Sequence, residues 1–233
     1  MNDLSTATLQ AFSLLFSANI ELWEIIFLSF SVSLRAIIFS APLAIMIAFL
    51  LAYFQFPGRR FFIALFNTAM SIPAVVVGLT LYLLLSRAGP LGDLRLLFTQ
   101  EAMIMGQMIL CFPLLVALSH ATLQSVDRRA WETAITLGAY PLRAVFTVLN
   151  EARFGLIAAI IAGFGRIIAE VGSSMMVGGN ILHYTRNIPT AIALETSKGS
   201  FAQGIALGIV LLMMALLLNL FLTYIQGRGE AIS

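Results

Sequence analysis

Residues 22–54 read LWEIIFLSFSVSLRAIIFSAPLAIMIAFLLAYF, a run in which Glu24 and Arg35 are the sole charges. The hydrocarbon core of a bilayer takes about 20 apolar residues to cross as a helix. This run is longer, so it has length to tilt or bend, and Pro42 gives it a place to kink. In lipid the backbone must satisfy its own hydrogen bonds, which a helix does. Four further apolar runs follow, at about 61–86, 100–120, 154–180 and 201–225, with Pro73 and Pro113 interrupting the first two of these. The whole composition agrees. Of 233 residues, 60% are hydrophobic and 10% charged, where a soluble domain carries about a quarter charged residues. The strict apolar/polar alternation of a membrane β-barrel is absent. The sequence therefore predicts an all-α polytopic membrane protein with about five spans over residues 22–225. Before them lies segment 1–21, in which Leu4–Ala18 is weakly amphipathic and suited to the membrane surface. A short tail, 226–233, follows.

Several function classes are excluded or disfavoured. The single cysteine, Cys111, lies in an apolar run and allows no intrachain disulfide. A net charge of +2 with scattered basic residues argues against a nucleic-acid surface. Met1–Ile20 holds Asp3 as its one charge, so no basic region marks a cleavable signal. No Gly-rich loop ending in Lys-Ser or Lys-Thr is present, so ATP binding by a P-loop is not expected. His120 and His183 stand apart, and no Cys/His/carboxylate group has metal-ligand spacing. No catalytic residue, cofactor or metal site is expected. A stand-alone secondary transporter would show repeated halves and midplane carboxylates. A membrane-embedded enzyme would need paired catalytic groups, and the sequence offers one pair, Arg166 and Glu170.

Positive charge orients the chain. One set of loops carries Arg59, Arg60, Arg128, Arg129, Arg143, Arg153 and Arg228; the other carries Arg87, Arg95, Arg186 and Lys198. Arg and Lys accumulate on the cytoplasmic side, which predicts an external N-terminus and an internal C-terminus. Loop 121–153 then lies inside. It is amphipathic and reads as two short helices separated by Gly138-Ala139-Tyr140-Pro141, with Asp127 as N-cap of the first and Pro141 in the first turn of the second. Such a hairpin is shaped to touch something soluble.

This loop resembles the cytoplasmic signature of ABC importer permeases, E-A-A, three residues, G, nine residues, I-x-L-P. Glu132-Thr133-Ala134 is followed three residues later by Gly138, and nine residues on stands Val148. Asn150 and Glu151 depart from the usual Leu and Pro. The resemblance implies a type I ABC permease fold. It also implies that Trp131, Glu132, Thr133, Ala134, Leu137 and Gly138 form the helix that couples to a cytoplasmic ATPase, where ATP and Mg would be used.

Residues 163–172, GFGRIIAEVG, resemble the fourth span of molybdate- and sulfate-type permeases, with their F-x-R-x-x-x-E-x-G string. Arg166 and Glu170 lie one helical turn apart and can face each other. Arg166 is about 18 Å into the fourth span, where an unpaired charge is costly. Two readings stand side by side: an ion pair that fixes helix packing, or a charge bordering a path for anions. Arg35 also needs a partner, either Glu170 of the same or another subunit or a route to water.

Ser173–Asn180, Thr185–Thr190 and Ala191–Gly199, with Asn150–Arg153, resemble permeases of the tungstate-specific branch; this likeness covers most of Trp131–Leu218. It implies an importer of a tetrahedral oxyanion, tungstate first and molybdate or sulfate as alternatives, in a bacterial or archaeal cytoplasmic membrane. The implied partners are a second copy of the chain, an ATPase dimer, an external binding protein and membrane lipid. Gly172, Ser173 and Ser174 suit either close helix packing or a path lined with hydrogen-bond donors. Thr185, Arg186 and Asn187 are expected in a polar outer loop where the binding protein docks.

Overall fold

The computed structural model describes Ser13 and residues 20–230. Apart from Ser13, the expected surface helix Leu4–Ala18 and the last residues of the tail lie outside the described residues. Among the described residues the regular structure is helical: α1 Ile20–Tyr53, α2 Arg59–Ala69, α3 Ala74–Leu85, a 3₁₀ turn at Gly92–Leu94, α4 Gln100–Ser125, α5 Arg128–Thr136, α6 Pro141–Glu151, α7 Arg153–Ile168, α8 Gly172–Gly178, α9 Ile188–Lys198 and α10 Phe201–Glu230. α1, α4 and the Phe201–Phe221 part of α10 are long and apolar enough to cross a membrane alone. Two bent pairs, α2 with α3 at 98° and α6 with α7 at 70°, bring the number of spans to as many as five.

α1 and α4 continue through Pro42 and Pro113. Pro73 behaves differently. It is the extended N-cap of α3, and the helix before it ends at Ala69. Proline lacks an N–H and drives the preceding residue out of the helical region, so 61–86 is two helices rather than one. The expected span 154–180 is also divided. α7 stops at Ile168, and Glu170 folds its side chain back to accept the N–H of Ser173 at 3.2 Å, starting α8. One helix was not expected at all: α9 fills what reads as a polar loop.

The chain forms two compact units. The first comprises the N-terminal part through Ala36, Ile72–Leu110 and Phe164–Leu218; the second comprises Ile37–Ser71, Cys111–Gly163 and the chain from Asn219. In the first, α1, α9 and α10 bury Leu22, Ile25, Ile188, Ala191, Ala206, Leu207 and Val210 together. In the second, Ala48, Phe49, Ala52, Leu123, Val148, Ala152 and Leu156 form the core.

Candidate functional site

The helical hairpin of the second unit is built as its residues dictate. Asp127 caps α5, its Oδ1 accepting the N–H of Arg129 at 2.9 Å. Gly138 takes φ +84°, a left-handed conformation that glycine adopts without a Cβ penalty, and Pro141 begins α6. The N–H of Ala139 returns to the Ala134 carbonyl at 3.0 Å, closing the end of α5. Ala144 and Val148 bury α6 against the core. Trp131 is turned inward. Its ring lies 5.8 Å from Phe49 and 5.7 Å from Tyr53, which stack on each other at the end of α1. Trp131 thus anchors α5 to the end of α1. The outward face carries Glu132, Thr133 and Gly138, while Ala134 is half-buried. Leu137, Tyr140, Leu142 and Phe146 are each more than 60% exposed around the turn, beside the exposed Arg128, Arg129 and Arg143. An apolar knob with a basic rim is unusual on a surface facing water and marks a contact site.

In the first unit the structure brings Arg166 and Glu170 together, Nη1 to Oε2 at 3.5 Å. The two ends differ: Glu170 is buried, and Arg166 is half exposed. Glu170 therefore holds two donors, the guanidinium of α7 and the first turn of α8. α8 packs closely on α3. A Cβ on Gly78 would come within 2.8 Å of Ser173 Cα, and one on Gly172 within 2.9 Å of Val75 Cγ2. A Cβ on Gly106 of α4 would come within 3.1 Å of Ser173 Oγ. Ser173 and Ser174 are fully buried, and their hydroxyl oxygens have no hydrogen-bond partner among the described residues. The glycines of α3 and α4 were not singled out by sequence, since their partners are distant in the chain.

The segment after α8 departs from expectation. Gly179 and Asn180 both adopt positive φ, +70° and +52°, turning the chain sharply after α8. Thr185 and Asn187, expected in an exposed docking loop, are buried. Thr185 donates to the Gly178 carbonyl and accepts the N–H of Ile181. Asn187 forms a reciprocal cap with Thr190 at the start of α9, a device worth about 1 kcal/mol. Asn187 three residues before Thr190, with Pro189 between and Gly199 beyond, is the sequence signal that marks this helix. Arg186 is mostly buried and meets Glu21 at 3.5 Å. Of the three expected docking residues, none projects freely; the exposed side chains here are Ile181, Leu182, His183 and Tyr184.

Among the described residues Arg35 forms no ion pair with Glu170 or another carboxylate of the same chain. It donates to Ser31 Oγ at 2.8 Å and to Gln100 Oε1 at 2.9 Å, and Gln100 in turn donates to the Tyr184 carbonyl at 2.9 Å. His183 Nδ1 lies 2.6 Å from Glu24 Oε2. Glu24, Ser31, Arg35, Gln100 and His183 border a cavity of about 290 Å³ with Arg186. No group of three or more potential metal ligands occurs among the described residues.

Comparison with known proteins places this geometry in a family. The tungstate uptake system permease protein of Campylobacter jejuni is 45% identical over 172 residues, covering 74% of this chain and 72% of that one. The tungstate uptake system permease protein of Peptoclostridium acidaminophilum is 37% identical over 216 residues, covering 93% and 95%. The molybdenum transport system permease protein of Escherichia coli is 30% identical over 216 residues, covering 88% and 94%. Among solved structures, a bacterial ABC transporter that imports the acidic polysaccharide alginate matches with a TM-score of 0.73 at 16% identity, over 96% of this chain and 83% of that one, a likeness of fold. No family model matches the chain.

Proposed function

The chain belongs to the permease family of anion ABC transporters, and on that premise we propose that it is the membrane subunit of an ATP-driven importer of tungstate. Apolar helices and family together make it a multi-pass membrane protein that transports rather than catalyses. ATP hydrolysis resides in a separate subunit, two copies of which meet two copies of this chain on the cytoplasmic side. An external binding protein delivers the anion. The observation that carries the reading is the α5–α6 hairpin: an apolar, basic-rimmed knob, capped by Asp127 and tied through Trp131 to the end of α1. Force applied to the knob reaches a membrane span through that aromatic contact. Glu132 and Gly138 keep their role at the ATPase contact, whereas Trp131 transmits from within.

Orientation follows from the distribution of arginine, with the knob inside and the N-terminus outside. ATP binding favours an outward-open state and hydrolysis restores the inward-open one, a shift between two populations. The free hydroxyls of Ser173 and Ser174 support a place for α8 along the path, where they would donate to a tetrahedral dianion. Arg166 keeps one face open to solvent while its charge is balanced by Glu170, which suits both packing and a path border. Tungstate leads over molybdate because the relatives named for tungstate uptake are 45% and 37% identical and the one named for molybdenum transport 30%.

The test is uptake of labelled tungstate by vesicles holding this chain with its ATPase and binding protein. ATP-dependent uptake that molybdate competes for weakly and sulfate not at all is the expected result. Equal competition by molybdate would remove the tungstate assignment; uptake without the ATPase would remove the ABC reading. Replacing Glu132 with Lys is expected to abolish uptake while the complex remains stable.

A further inference from the structure

Four cations stand in the loops assigned to the outer side: Arg87, Arg95, Arg186 and Lys198. Their environments divide them. Lys198 meets Glu195 at 2.9 Å and Arg186 meets Glu21 at 3.5 Å. Arg87 and Arg95 are exposed, and neither guanidinium has an ion-pair or hydrogen-bond partner among the described residues. Both line one cavity of about 920 Å³ in the first unit. Asp93 shares the wall, so the cavity carries one excess positive charge.

The apolar part of that wall is Leu85, Leu97, Tyr82 and Phe98, and the two rings meet edge to face at 6.2 Å. Phe98 links the cavity to α8. Its N–H donates to the Val177 carbonyl at 2.8 Å, and its ring stands 2.7 Å from where a Cβ on Gly179 would lie. Phe98 and Arg95 both have positive φ, +65° and +51°, which bulky residues adopt at a cost when the surrounding structure demands it. The backbone is thus bent to put a cation and an aromatic ring on the same cavity. α8 is also the helix that carries Ser173 and Ser174.

We propose that this cavity is the receiving site for the transported oxyanion, with Arg87 and Arg95 as the cations that hold a tetrahedral dianion between its release by the binding protein and its passage beside α8. The proposal rests on the reading of this chain as an oxyanion permease. It gives a reason for two unpaired positive charges on the side where such charges are otherwise scarce. Low-dielectric walls around a charged cavity concentrate the field and raise the local concentration of the opposite ion. A receiving site does not need the affinity of the binding protein; it needs to keep a released anion from escaping.

The discriminating quantity is anions moved per ATP hydrolysed. The complete transporter is reconstituted in pure phosphatidylcholine vesicles, and [¹⁸⁵W]tungstate uptake and ATP hydrolysis are measured together. In the double variant Arg87→Gln/Arg95→Gln, hydrolysis stimulated by the loaded binding protein is expected to persist while tungstate moved per ATP falls about tenfold. The charge-conserving Arg87→Lys/Arg95→Lys variant is expected to recover most of that loss. An unchanged ratio in the double Gln variant overturns the site. Loss of stimulated hydrolysis also overturns it, by assigning the arginines to docking. A defect that appears when phosphatidylglycerol is added and vanishes in phosphatidylcholine overturns it in favour of lipid headgroups. Wild type without ATP-dependent uptake would sink the underlying functional reading, and the receiving site with it.

Discussion

At Gly78, an added Cβ would press within 2.8 Å of the Ser173 backbone; at Gly138, it would meet nothing within 4 Å. The first glycine lies in the α3–α8 seam of one unit, the second at the tip of the α5–α6 hairpin of the other. The seam is built from close approach, with buried hydroxyls and a buried carboxylate. The hairpin is built from local backbone chemistry, with its apolar side chains facing out. One region is closed by helix-to-helix packing, and the other presents an exposed apolar face. In the proposed transporter the two therefore tolerate change differently: the seam responds to volume and charge, the hairpin to backbone conformation and to whatever it touches.

Removing Arg166 is expected to have the largest effect on stability, because it strands the buried Glu170 carboxylate. With half of Arg166 exposed, Arg166→Ala should cost about 3 kcal/mol, at the lower end for a broken buried pair. Thermal unfolding of the detergent-purified protein measures it, and Arg166→Ala/Glu170→Gln should recover most of the loss. No recovery in the double variant would mean the pair does not act as a unit. Next comes Gly78→Ala, which overpacks the seam and should cost about 2 kcal/mol in the same assay. If it stabilises the protein instead, the tight α3–α8 packing is wrong.

Gly138→Ala is a smaller perturbation, about 1 kcal/mol, arising from positive φ alone. Gly138→Asn should cost less than Ala, since Asn enters the left-handed region more readily; Ala and Asn of equal cost would remove the conformational explanation. Smallest for stability is Leu137→Ser, expected within about 0.5 kcal/mol of wild type because the side chain is 82% exposed. Yet it should sharply reduce ATP-driven uptake, a separation of function from stability that the seam variants cannot show. Normal uptake by Leu137→Ser would detach the apolar knob from coupling.

Much of the hairpin was legible in the sequence. Asp127, Gly138 and Pro141 act on their immediate neighbours, and their roles follow from backbone rules. The Arg166–Glu170 pair was legible for the same reason, since four residues is one helical turn. The break at Ala169–Val171 was not, because it depends on Glu170 turning back to hold Ser173 N–H. Thr185 and Asn187 read as part of a polar outer loop and are in fact buried, their polar atoms satisfied by Gly178, Ile181 and Thr190. Arg35 is met by Gln100, 65 residues away, a partner no local pattern indicates.

The sequence by itself determined that the chain lives in a membrane as helices, and the form of the α5–α6 hairpin. These follow from hydropathy, periodicity and capping, which act over a few residues. Tertiary structure alone decided which charges are neutralised and which stay free, why Gly78 and Gly106 must be small, and that Phe98 abuts Val177. Those depend on approach between segments far apart in the chain, where a difference of one ångström separates a contact from a clash.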